Sequence, residues 1–120
     1  MNTSESKEMY LETILILKEE KGIVKSIDIA RRMNFSKPSV SRAVKQLKEE
    51  DFIIVNKDNS IELSEKGANL ASTIYNRHII LSEFLVKLGV SEDVAKEDAC
   101  RVEHVISKET TLKIKEFLNK

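Results

Sequence analysis

The stretch between residues 26 and 63 constrains the fold most. Two helix-length apolar stripes stand only three residues apart, and a short β-branched run with a turn signal follows them. Ile27, Ala30 and Met33 share one helical face from Ser26, a good N-cap residue, to Met33. Asn34-Phe35-Ser36 reads as a turn. A third helix then starts at Ser36 or Lys37, with Pro38 in its first turn and Val40, Val44 and Leu47 as its buried stripe. Phe52-Ile53-Ile54-Val55, the turn signal Asp58-Asn59 and the alternating Ile61-Glu62-Leu63 predict a β-hairpin. Two short helices with a tight turn, then a hairpin, predict a winged helix-turn-helix.

The flanking segments read as helices. Tyr10, Ile14 and Leu17 recur at helical spacing over residues 4–20, and Gly22 supplies a stop. Ser64 caps a long helix reaching about Leu88, with Ala71, Ile74, Tyr75, Leu81, Leu85 and Leu88 inward and Gly89 ending it. Ser91-Glu92-Asp93 opens a further helix to about Ile106, its acids suited to a positive helix end. Ser107 caps the last helix, which carries Leu112, Phe117 and Leu118. Three glycines and one proline in 120 residues agree with a mainly α chain. The expected organisation is a winged helix-turn-helix domain over residues 1–70 and a helical domain over 71–120.

Formal net charge is zero, but its distribution is uneven. Residues 25–48 hold seven cations, Lys25, Arg31, Arg32, Lys37, Arg42, Lys45 and Lys48, against the single acid Asp28, a local net +6. A solvated helical face has such charge, and so does a phosphate-facing surface. With Val40, Val44 and Leu47 turned inward, Lys37, Ser39, Ser41, Arg42, Lys45 and Gln46 point outward. Short donors at a helix start and basic chains beyond suit base edges and phosphates. The expected DNA-binding residues are Ser36, Lys37, Pro38, Ser39, Ser41, Arg42 and Lys45, with Lys57 near the hairpin tip.

Cys100, Glu103 and His104 occupy positions i, i+3 and i+4 of one helix and share a surface. Ala95, Ala99, Val102 and Ile106 form its core stripe, with the trio half-buried at the border. His78 lies on the apolar face of the long helix, and Met9 and Glu12 stand i, i+3 on the first. Together these donors form a transition-metal set, with sulfur tilting it toward iron(II). Each also has an ordinary packing role: a lone Cys as a small core hydrophobe, a His hydrogen-bonded in an apolar stripe, a Met as filler.

The single Cys excludes an internal disulfide framework. The polar N-terminus carries no signal-peptide run, and the longest aliphatic run, residues 14–17, is far too short to span a bilayer. A cytoplasmic protein without membrane partners is expected. Three rival readings fit parts of the pattern: a winged-helix regulator without metal response, a metal buffer without DNA contact, and an enzyme using Cys100 and His104. The buffer leaves the basic third helix unexplained, and the enzyme lacks an evident orienting residue or oxyanion loop.

Met9-Tyr10-Leu11-Glu12-Thr13-Ile14, Asp28-Ile29-Ala30, Pro38-Ser39-Val40-Ser41, Leu63-Ser64-Glu65-Lys66-Gly67 and Ala99-Cys100-Arg101-Val102-Glu103-His104-Val105 occur in order. Through these blocks the chain resembles the diphtheria toxin repressor and manganese transport regulator family. The resemblance implies a metal-dependent repressor acting on palindromic operator DNA as a homodimer and controlling metal-uptake genes. It implies an iron-type primary site of Met9, Cys100, Glu103 and His104, with Fe2+ as cofactor. The manganese-type members carry Asp and Glu where Met9 and Cys100 stand, and Mn2+ is the alternative cofactor. Glu12 and His78 match manganese-type second-site ligands, so a hybrid second site with shared Glu103 is an expectation. The iron-type ancillary set is not expected, because Ser82 and Lys96 stand at two of its positions and Glu83 is about 100° out of register. Nor is the extra C-terminal domain of longer members expected. In such a dimer, metal binding would hold two recognition helices roughly 34 Å apart, one DNA turn, as a population shift.

Overall fold

A computed structural model describes residues 3–120. The elements are α1 (Thr3–Lys21), α2 (Ser26–Met33), α3 (Lys37–Glu49), β1 (Ile53–Val55), β2 (Ile61–Leu63), α4 (Glu65–Leu88), α5 (Glu92–Val102) and α6 (Lys108–Leu118). They form two units, Met1–Ser72 and Thr73–Lys120, and the division falls inside α4. The architecture is mainly α, with a winged helix-turn-helix in the first unit.

The core of the first unit follows from the helical stripes. Tyr10, Leu11, Ile14 and Leu17 of α1 pack with Ile29 and Ala30 of α2, Val40 and Leu47 of α3, and Ile53 and Ile61 of the hairpin. Val44, half-buried, packs against this cluster. The strands pair antiparallel with Ile53 opposite Leu63 and Val55 opposite Ile61. Val24 adds one rung, its carbonyl accepting from the Ile61 N–H at 2.7 Å. This rung ties the hairpin to the segment between α1 and α2.

Helix ends are set locally. Ser36 caps α3, its Oγ accepting from the Ser39 N–H, and Pro38 falls in the first turn, where no N–H is needed. Asn34, left-handed at φ 57°, closes α2. Ser26, expected as the cap of α2, is instead its first residue, and Lys25 holds the cap position. The capping function passes to Asp28, whose carboxylate accepts from the Lys25 N–H at 2.9 Å. Ser64 Oγ accepts from the Gly67 N–H at 3.0 Å and donates to the Asp51 carbonyl. Gly67 is required there, since a Cβ would overlap the Phe52 carbonyl oxygen.

In the second unit α4 ends at Gly89, at φ 106°. The helix expected to reach Ile106 stops at Val102, where the Val105 and Ile106 N–H groups both donate to the Val102 carbonyl. Ser107 then caps α6, accepting from the Thr110 N–H at 3.1 Å. Several residues expected inside are exposed: Tyr75, Leu88 and Val102. Tyr75 stacks on the His78 ring, with centroids 6.4 Å apart.

Candidate metal centre and nucleic-acid face

On α3 the buried Val40 and Leu47 turn the opposite face outward. Ser36, Lys37, Pro38, Ser41, Arg42, Lys45 and Gln46 are exposed and Ser39 is partly so. Lys57 is exposed in the hairpin turn, where Asn59, left-handed at φ 68°, donates its N–H to the Asn56 carbonyl. Among the described residues no carboxylate pairs with Lys37, Arg42 or Lys45. This face therefore keeps its positive charge for an external anion.

The second unit gathers the other donors. His78 of α4 points its Nδ1 at Glu103 Oε2, 2.9 Å away, and at Cys100 Sγ, 3.7 Å away. The three donor atoms lie within 4.8 Å of one another. Cys100 sits on α5 and is exposed, not half-buried as expected. Glu103 is the C-cap of that helix and is fully buried. His104 stands in the turn beyond, so the trio does not share one helix, although Glu103 keeps helical torsions. His104 Nε2 lies 3.3 Å from Glu103 Oε1, yet that buried oxygen accepts no well-directed hydrogen bond.

The electrostatics of this cluster are lopsided. The Cys100 sulfur and the Glu103 carboxylate beside Nδ1 push His78 up from 6.5 to about 10, against the opposing effect of burial. Sulfur and carboxylate oxygen thus favour a proton on the nitrogen where the three donor atoms converge. A nucleophilic triad uses the two imidazole nitrogens separately, one for the nucleophile and one for the acid. Here both partners approach the same nitrogen, an arrangement unsuited to that relay. Nitrogen, thiolate and carboxylate donors with an orphaned buried oxygen do fit a divalent transition metal.

His78 and Cys100 are thus brought together, a pairing the sequence reading did not make. Arg77, also missed, donates to the Glu103 carbonyl at 2.9 Å and complements the negative end of α5. Its place beside His78 on α4 was the one available signal. Met9 and Glu12 lie on α1 in the first unit, Met9 half-buried and Glu12 buried. Ser82, Glu83 and Lys96 line a separate groove of about 490 Å³ with Val86, Lys87 and Glu92.

Residues 2–61 match the family model for the N-terminal DNA-binding domain of iron-dependent repressors, and residues 64–120 match the model for their metal-binding and dimerisation domain. The chain belongs to the iron-dependent repressor family. It is 34% identical over 119 residues to an HTH-type transcriptional regulator of Methanocaldococcus jannaschii, covering 98% of this chain and 95% of that one. It is 34% identical over 116 residues to the iron-dependent repressor IdeR of Mycobacterium bovis, covering 96% of this chain and 50% of IdeR. The solved structure of the manganese regulator SloR superposes with a TM-score of 0.82 at 35% identity, over 94% of this chain and 53% of SloR. The chain thus spans about half the length of IdeR and of SloR. These relatives are named as regulators or repressors. Among the described residues no helix is long and apolar enough to cross a membrane.

Proposed function

We propose that this chain is a metal-dependent transcriptional repressor that binds palindromic operator DNA as a homodimer, takes iron(II) as corepressor and controls metal-uptake genes in the cytoplasm. The observation that carries the metal reading is the convergence of His78 Nδ1, Cys100 Sγ and Glu103 Oε2, with Glu103 Oε1 buried and unbonded. Cys100, Glu103, His104 and His78 would hold the ion, and by family resemblance Met9 and Glu12 are further ligands. The ion would supply positive charge to a buried carboxylate and a thiolate, replacing the proton on His78. Residues 1–70 would carry DNA binding through Ser36, Lys37, Pro38, Ser39, Ser41, Arg42, Lys45 and Lys57. Residues 71–120 would carry metal binding and self-association.

The homodimer rests on apolar exposure. Val94, Val105, Leu112 and Phe117 are each between 46% and 66% exposed, and a second copy would cover them. Manganese is the second reading, favoured by the likeness to SloR. Soft sulfur at Cys100 favours iron over manganese, and a carboxylate there would reverse this.

The test is anaerobic titration with iron(II) and manganese(II), read by binding to a palindromic duplex selected from a random pool. Cys100→Ser is expected to weaken iron(II) activation, and Cys100→Glu to shift preference toward manganese. Identical activation midpoints for wild type and both variants would remove Cys100 from the site.

A further inference from the structure

Beside the N-terminus of α3 lies a groove of about 610 Å³, lined by Tyr10, Phe35, Ser36, Ser39, Arg42 and Gln46 among others. Tyr10 and Phe35 pair along it with ring centroids 6.0 Å apart. We infer that Arg42 reads a guanine in each operator half-site, and that Ser36 and Ser39 are positioning residues that aim its guanidinium. This inference rests on the DNA-binding reading above and assigns the base class that this face recognises.

Three observations support it. First, other cations of this unit are committed to acids: Lys7 to Glu50, Lys21 to Asp28 and Arg32 to Glu20. Arg42 instead donates from Nη2 to a neutral hydroxyl, Ser39 Oγ, at 3.4 Å. Its charge is left uncancelled, while its direction is biased. Second, Ser39 Oγ is itself held, accepting from Ser36 Oγ at 2.9 Å. The pair draws the guanidinium one turn back toward the start of α3, the end from which a recognition helix reaches base edges. Third, Arg42 lines the groove together with Tyr10 and Phe35, so its side chain lies against that wall at the start of α3.

Guanidinium chemistry selects the base. A planar fork of donors matches guanine O6 and N7 in the major groove, whereas adenine offers an N–H2 donor where guanine has O6. Lys37, Lys45 and Lys57 lack that fork and suit phosphates as point charges. Arg42 is the only arginine on α3.

The experiment uses the full chain with manganese(II), or iron(II) anaerobically, and duplexes selected from a randomised pool by wild type. The expected motif carries one guanine per half-site whose preference vanishes in Arg42→Gln. Replacing that guanine with 7-deazaguanine, which lacks the N7 acceptor, should weaken wild-type binding by roughly tenfold and leave Arg42→Gln unaffected. Ser39→Ala should lower the ratio of selected to random-duplex affinity. Arg42→Lys should keep the salt dependence of wild type while losing the guanine preference, as loss of a fork without loss of charge requires. A motif unaltered in Arg42→Gln, or indifference of wild type to 7-deazaguanine, would overturn the guanine assignment alone. A uniform loss across all sequences in Arg42→Gln, with a shallower salt slope, would make Arg42 a phosphate contact instead. No DNA binding under either metal would overturn the DNA-binding reading and this inference with it.

Discussion

In the first unit, apolar side chains from every element meet in one cluster, and Leu11, Ile29 and Val40 are sealed completely. In the second, the buried apolar residues among those described are Ile74, Leu81, Ala95 and Ala99, two of them alanines. Helix α6 buries none at all. Meanwhile Val86, Leu88, Val94, Val105, Leu112 and Phe117 stay exposed. A helix is held mainly by packing of its apolar face, not by propensity. The first unit can therefore close its core from its own residues. The second lacks that closure, and its largest fully buried polar group is a carboxylate, Glu103. The difference leaves the second unit with a buried carboxylate and an uncovered apolar face, the two features on which the proposed ion and the proposed second copy rest.

The strongest test of this contrast is core truncation. Leu47→Ala is expected to destabilise the first unit by about 2–5 kcal/mol, read as a lower midpoint in denaturant. Leu112→Ala, at a site 54% exposed, should barely move that midpoint and should instead raise the dimer dissociation constant in sedimentation. Equal effects of the two substitutions on unfolding would contradict the comparison.

Metal should act on the second unit. At a hundredfold excess over its Kd, a bound ion stabilises the folded chain by about 2.7 kcal/mol. Thermal unfolding with and without manganese(II) should show this shift in wild type and a much smaller one in His78→Ala. An equal shift in both proteins would exclude His78 as a ligand.

The pH dependence sharpens the same point. His78 is held at about 10 against an ordinary 6.5. Between these values the folded chain keeps a proton that the unfolded chain has lost. The stability it contributes to the metal-free protein is complete below 6.5 and disappears as pH rises through 10. Metal must displace that proton, so affinity should rise with pH, by about tenfold per unit from this group alone. Competition titrations at several pH values would reveal it, and a flat profile would separate His78 from the ion.

The smallest effect concerns a helix end. Ser107→Ala removes the acceptor for the Thr110 N–H and should cost about 1 kcal/mol. The expected readout is faster hydrogen exchange confined to the first turn of α6, with the first unit unchanged. Loss of protection in α1 to α3 would show that the two units do not unfold separately.

Much of this fold was legible in the residue order because it depends on neighbours a few positions apart. The stripe of Val40, Val44 and Leu47, the alternation about Ile61, Ser36 and Ser107 as caps, and Gly89 as a stop are all local signals. So was the outward face carrying Lys37, Arg42 and Lys45, since an inward stripe defines its opposite. The blocks around Met9 and Cys100 carried the family. Local chemistry also misled where two residues could serve one role, as when Asp28 took over the capping expected of Ser26. Helix periodicity ran on past Val102, but the chain turns there, which separates His104 from the helix holding Cys100. Only the tertiary structure decided that His78 meets Cys100, because they lie 22 residues apart on different elements. The angle at which one helix presents a side chain to another is set by packing between them, and no periodicity within either helix contains it.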